Sequence, residues 1–188
     1  MGRWEPNARG RLEEAALELF AEHGYDQTTV AQIADRAGLT ERTFYRHFAD
    51  KREVLFGGGT VLEEALAAAV REAPAEAAPY DVVAEALVRA ASFLDEQRRD
   101  HAPRRQAVIE AHAELREREL GKMAAWVSTL ADGLRERGVE PRLADLIAET
   151  GVAVFRTAFA TWVTDTRAQD LRSLLREAFA DLRAATAG

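Results

Sequence analysis

Three arginines, a tyrosine, a histidine and a lysine crowd one stretch of the chain, "LTERTFYRHFADKRE" at residues 39–53. Set on a helix, Phe44 and Phe48 lie one turn apart and face inward with Leu39, while Arg42, Tyr45 and Arg46 project from the opposite side. Thr43 lies beside them, and Glu41 and His47 sit at the margins. A rigid helix with two guanidinium forks, a phenol and a hydroxyl carries the chemistry needed to read DNA. The major groove, about 12 Å wide, admits a helix and offers guanine N7 and O6 to a bidentate Arg. Lys51 and Arg52 fall where a following helix would start, and backbone N–H groups there can hold a phosphate. Thr29 has the same position ahead of the preceding helix. Arg3, Arg9 and Arg11 have the reach for flanking phosphates or the minor groove. A short amphipathic helix rich in Arg is equally a solvated face, so these residues alone leave both readings open.

Composition narrows the alternatives. The 188 residues carry a formal charge of -7, from 25 basic and 32 acidic side chains. The whole-molecule field therefore repels polyanions, and an anionic partner is steered to the one basic patch. With no cysteine, disulfides, thiolate metal sites and Cys nucleophiles are excluded. No apolar run is expected to reach the roughly 18–20 residues of a membrane span. "MGRWEPNARGR" has no apolar segment of a secretory signal, and Pro6 spoils the myristoylation frame. A soluble cytoplasmic protein without membrane association is expected. Ser92, Ser128 and Ser173 sit on no nucleophile elbow, and His23, His47, His101 and His112 lack metal-ligand spacing. Accordingly no catalytic residue, metal or cofactor is expected. A helical protein-interaction module that does not bind DNA is the competing class.

The elements that must position these residues are helical throughout. Leu12, Ala15, Ala16, Leu19 and Phe20 form one stripe, stopped by Gly24. Thr29 and Gln32 form a capping box for a short second helix ended by Gly38. Thr40 caps the third, with Leu39 placed to pack on Phe44. "GLT" between the last two is the short turn of a helix-turn-helix. Asp50 and Glu53 form a further box, predicted to open a long fourth helix through Leu55, Leu62, Leu66 and Val70. "PAEAAP" (74–79) breaks it, a fifth helix is predicted over Asp81–Arg98, and "RRDHAP" (98–103) reads as the next interruption. The pattern resumes to Gly138 with a break near His112, then runs from Pro141 to about Thr164 and through Leu171–Leu182. No strand pattern persists. The fold class is all-α: a three-helix DNA-binding domain over 1–50, then a larger helical domain over 51–188.

Residues 11–56, "RLEEAALELFAEHGYDQTTVAQIADRAGLTERTFYRHFADKREVLF", resemble the amino-terminal domain of the TetR family of transcriptional repressors. The likeness implies DNA contacts at Thr29, Glu41, Arg42, Thr43, Tyr45, His47 and Lys51, with Lys51 on a phosphate; Arg46 joins them from the wheel. Glu41 departs from the family pattern. It can accept from cytosine N4, repel phosphate, or orient Arg42 or Arg46. The resemblance further implies a homodimer on a pseudo-palindromic double-stranded operator, released by a small-molecule effector bound in the larger domain. Dimer contacts are expected on the last two helices, at Val154, Ala158, Trp162, Leu171, Leu174, Leu175, Ala178, Phe179 and Leu182, unless these simply fill the core. Phe93, Trp126, Phe155, Phe159 and Trp162, with Arg89, His112 or Arg156 as polar groups, are the candidate pocket for a hydrophobic or amphipathic effector. "GGGT" (57–60) follows no strand and lacks a phosphate-loop Lys. Each Gly within a helix costs about 1 kcal/mol against Ala, so Gly57–Gly59 mark a weak point that could couple effector to DNA.

Overall fold

The computed structural model describes residues 7–57, 59–94, 96–165 and 170–186, with the side chains of residues 60, 96–98 and 100 excepted. Arg3, Pro6 and Gly58 lie outside the described residues. In chain order the helices are α1 (Ala8–His23), α2 (Val30–Arg36), α3 (Glu41–His47), α4 (Gly59–Glu72) and α5 (Pro79–Ala90). They continue as α6 (Glu96–Ala111), α7 (Ala113–Glu136), α8 (Pro141–Thr164) and α9 (Leu171–Thr186). Short 3-10 turns occupy Arg52–Val54 and Ala91–Phe93. There is no strand among the described residues.

Two compact units result: a head of residues 1–58 with 101–119, and a second unit of residues 59–100 with 120–188. Compactness therefore does not follow the change of helix length at residue 50. The carboxy-terminal part of α6 and the first turns of α7 fold with the head. They contribute Ile109 and Leu115, both essentially without solvent contact, to a core built on Leu12, Ala16, Phe20, Ile33, Phe44 and Phe48.

Local signals set the head's helices. Asn7 caps α1 by accepting from the Gly10 amide at 3.0 Å. Thr29 and Gln32 close the expected box on α2, and Thr40 accepts from the Thr43 amide to cap α3. The α2–α3 turn needs Gly38, whose φ of 65° suits glycine. Its amide bonds back to Asp35 at 2.9 Å and that of Leu39 to Ala34 at 2.8 Å, which satisfies the last carbonyls of α2.

Three sequence expectations are corrected. Asp50 does accept from the amides of Arg52 and Glu53, but it opens only the 3-10 turn; α4 starts at Gly59, because three successive glycines resist helix formation. The break expected at residues 98–103 lies earlier, in the 3-10 turn at Ala91–Phe93, and α6 runs through Pro103. Burial of Ala102 and Ile109 and the anchoring of Arg105 override the lost backbone bond there. Finally, α8 is long and apolar enough to meet the length and composition of a membrane span. It packs along α5 and α9, burying Ala144, Ala148, Val152 and Phe155 as a bundle helix does.

In the second unit α4 packs on α5, and α5 on α8 and α9. Leu66, Val83, Leu87, Leu130, Leu134 and Leu175 are fully buried. Gly151 lets α8 approach α5 closely: a Cβ there would lie 2.3 Å from Val83 Cγ1 and 3.2 Å from Leu87 Cδ1.

Candidate nucleic-acid interface

Phe44 is sealed in the head and Phe48 nearly so, at 4% exposure. These two rings, 5.3 Å apart, fix the rotation of α3 about its axis. The opposite side is left in solvent: Arg42 and Arg46 are exposed, and Tyr45 is 56% exposed with its ring edge-on to Phe44 at 5.5 Å. Arg42 has no internal partner among the described residues, and Arg46 approaches only His47, at 3.5 Å. The two guanidinium groups on this side thus keep their donor forks essentially unspent, which is what bidentate base reading requires.

Glu41 occupies the first turn of α3, where a carboxylate is favoured by the helix dipole. It pairs with neither Arg42 nor Arg46 among the described residues, so the orienting role is not the one this arrangement adopts. Thr43 shares its hydroxyl with that of Thr40 at 3.1 Å, and Thr29 shares its own with Gln32 at 3.1 Å. Both threonines hold helix starts in place. His47 is half-buried, and its pKa is lowered by burial first and then by the charges of Arg46 and Arg9. The imidazole is therefore neutral near pH 7.

Lys51 is placed differently from a phosphate clamp. Its ammonium donates to the carbonyls of Tyr25 at 2.7 Å and Thr28 at 3.0 Å, and stands 4.1 Å from the centre of the Tyr25 ring. It pins the α1–α2 turn that leads into Thr29. Arg52 is paired with Asp50 at 2.6 Å. The arm residues are used internally as well. Arg9 bonds Glu13 at 3.2 Å and lies over Phe48, while Arg11 donates to the Ala37 carbonyl.

Sequence reasoning missed the clamp around Phe56. The guanidinium groups of Arg105 and Arg118 stand 5.3 and 5.2 Å from its ring centre. Arg105 also donates to the Leu55 carbonyl at 2.5 Å and to Glu119 at 2.8 Å, and Arg118 grips Glu53 with two bonds of 2.8 and 3.1 Å. Charge patterning on α6 and α7 gave no sign that these arginines belong to the head. His112, expected in the effector pocket, is also a head residue. It caps the break between α6 and α7, bonds the Val108 carbonyl at 2.8 Å and lies 4.9 Å from the Tyr25 ring.

In the second unit four of the candidate pocket residues do come together. Trp126 meets Phe155 edge-on at 5.1 Å, Phe155 stacks on Phe159 at 5.8 Å, and Phe159 meets Trp162 at 5.6 Å. Phe93 is half exposed, Arg156 is exposed, and Arg89 is drawn to Glu72 at 2.7 Å. A separate open groove of about 520 Å³ runs between α5 and α9, over Val88, Phe179 and Ala180. Of the expected dimer contacts, Val154, Ala158, Trp162, Leu171, Leu175 and Phe179 lie in their own unit's core, and Leu174, Ala178 and Leu182 are half-buried.

Residues 12–56 match the family described as "Bacterial regulatory proteins, tetR family", and residues 77–187, more than half of the chain, match the "MftR C-terminal domain". The chain belongs to the TetR family of regulators. Among TetR-family relatives, TcmR of Streptomyces glaucescens is 42% identical over 79 residues, 42% of this chain and 35% of that protein. MftR of Mycobacterium tuberculosis, named for mycofactocin biosynthesis, is 23% identical over 88% of this chain and 84% of its own length. The chain thus spans about a third of TcmR but most of MftR. Among solved structures, the SmeT–triclosan complex aligns with a TM-score of 0.66 at 21% identity, covering 95% of this chain and 90% of SmeT. FadR from Bacillus subtilis with stearoyl-CoA aligns with a TM-score of 0.59 at 22% identity, covering 92% and 96%. These likenesses show the shared TetR-family fold.

Proposed function

We propose that this TetR-family regulator is a ligand-responsive transcriptional repressor that reads a pseudo-palindromic DNA operator as a homodimer. The observation that carries the reading is α3, locked by Phe44 and Phe48 with Arg42, Tyr45 and Arg46 turned to solvent. One such head covers little DNA; two heads about 34–36 Å apart read half-sites one helical turn apart. An open stripe on α8 supports the pairing. Leu143 and Leu146 are about half exposed, and Ala153, Thr157, Ala160 and Thr164 continue the same face. The hydroxyls of Thr150, Thr157 and Thr164 turn back onto carbonyls four residues earlier, so the threonines along the stripe show methyl groups. That face suits close helix contact better than the buried residues expected from the sequence.

The effector binds in the second unit, in the cytoplasm where the operator lies, and lowers operator affinity. Ligands held by SmeT and FadR, triclosan and stearoyl-CoA, support an effector with substantial apolar surface. The test is selection of bound fragments from a genomic library, followed by sedimentation of protein with the selected duplex. A palindromic site bound by two chains, at an affinity that falls with salt, is expected. Failure to select any duplex at low salt overturns the proposal.

A further inference from the structure

Trp126 is 1% exposed, and its indole Nε1 is buried without a hydrogen-bond partner among the described residues. Buried N–H donors are almost always paired in folded proteins, so an orphan needs an explanation. Here it lies in the one aromatic ladder of the described second unit, beside Phe155, Phe159 and Trp162. Cations flank the ladder at both ends: Lys122 Nζ is 5.1 Å from the Trp126 ring, and the Arg99 guanidinium is 5.8 Å from that of Trp162. Arg99 is fixed there by bonds to the carbonyls of Trp162 at 3.2 Å and Asp165 at 2.7 Å. The surroundings are therefore apolar rings and one unspent donor, with no acceptor side chain spent on that donor among the described residues.

We infer that Trp126 Nε1 is the polar anchor of the effector site, donating to an oxygen acceptor carried by an apolar, ring-bearing molecule. This rests on the ligand-responsive reading and adds the chemistry its effector must have. The ladder supplies flat apolar contact, and the indole N–H supplies orientation and selectivity, since a ligand without an acceptor leaves the donor unpaired.

Two probes of nearly equal shape test this, 2-acetylnaphthalene and 2-ethylnaphthalene, titrated into the full chain by calorimetry. The ketone is expected to bind about tenfold more tightly than the hydrocarbon. In Trp126→Phe the two should bind within about twofold of each other. In 15N-labelled parent protein, the indole N–H signal that is missing from Trp126→Phe should lie further downfield with the ketone bound than with the hydrocarbon bound, since the naphthalene ring current is common to both. The two-probe comparison in the parent protein does not depend on how well the variant folds. Equal binding of the two probes by the parent, a preference that survives in Trp126→Phe, or absence of binding by either probe overturns the inference. Operator binding by the same preparations is measured separately. Its loss would sink the repressor reading, while the probe ratio and the indole shift would still decide the role of Trp126.

Discussion

Replacing Lys51 by Met keeps an unbranched side chain one atom shorter and removes the ammonium with its charge and donors, which separates two roles that would otherwise look alike. In the structure the ammonium holds two carbonyls, at 2.7 and 3.0 Å, and faces the Tyr25 ring at 4.1 Å. Hydrogen bonds from a charged donor contribute about 1.5–3 kcal/mol each, and a cation over a ring about 0.5–2 kcal/mol. The site is partly open to water, and Tyr25's carbonyl keeps a second donor in the Thr28 amide at 3.3 Å. Both facts reduce the loss, and about 2–3 kcal/mol is expected. At about 2–4 °C per kcal/mol for a chain of this size, Tm should fall by about 4–12 °C. Operator affinity should fall too, because Thr29 follows directly from the loosened turn. The slope of log K against log salt should not change, since no phosphate contact has been removed. A lysine spent on phosphate gives the opposite pattern: Tm at the parent value and a slope smaller by about 0.9. Thermal unfolding and fluorescence anisotropy at four salt concentrations suffice. The second pattern would refute the assignment of Lys51 to the turn.

Arg42→Ala should leave Tm within about 1 °C, because the side chain has no internal partner among the described residues, and should cost about 1–3 kcal/mol of discrimination at one base pair; competition with single-base operator variants reads this. His47 has a lowered pKa in the free head, so the unfolded chain binds more protons just below pH 6.5 and stability declines as pH falls through the folded pKa. Phosphate nearby would raise that pKa, so operator affinity should strengthen from pH 7.5 to 5.5 and the dependence vanish in His47→Gln; a flat parent profile refutes the phosphate contact. Gly151→Ala drives a methyl into Val83, 2.3 Å from Cγ1, and should destabilise by about 1–3 kcal/mol by urea titration. Gly59→Ala meets nothing within 4 Å and should stabilise by up to about 1 kcal/mol.

What was legible in the sequence was local. Caps at Thr29 and Thr40, the stop at Gly38, Pro141 at the first turn of α8 and the break at His112 each depend on a few adjacent residues, and the structure has them all. The inward phenylalanines of α3 followed from spacing alone. Legibility failed wherever distant segments compete for a residue. Lys51 could not be seen to choose the carbonyls of Tyr25 and Thr28, 26 and 23 positions away. Pro103 looked like a breaker because the packing of Ala102 and Ile109 is invisible to a helical wheel. Hydrophobic period identified α8 and α9 as amphipathic, yet it could not say which apolar face meets its own unit and which stays open.

The Phe56 clamp has a practical corollary for anyone building hybrid regulators. Because Arg105 and Arg118 lie 49 and 62 residues downstream of the ring they hold, the reading module is not a contiguous cassette ending at residue 58. A graft of residues 1–58 onto a foreign sensor would leave Phe56 uncovered and Glu53 uncompensated, and would take away Ile109 and Leu115 from the interior. Swaps that carry residues 101–119 along keep the module whole.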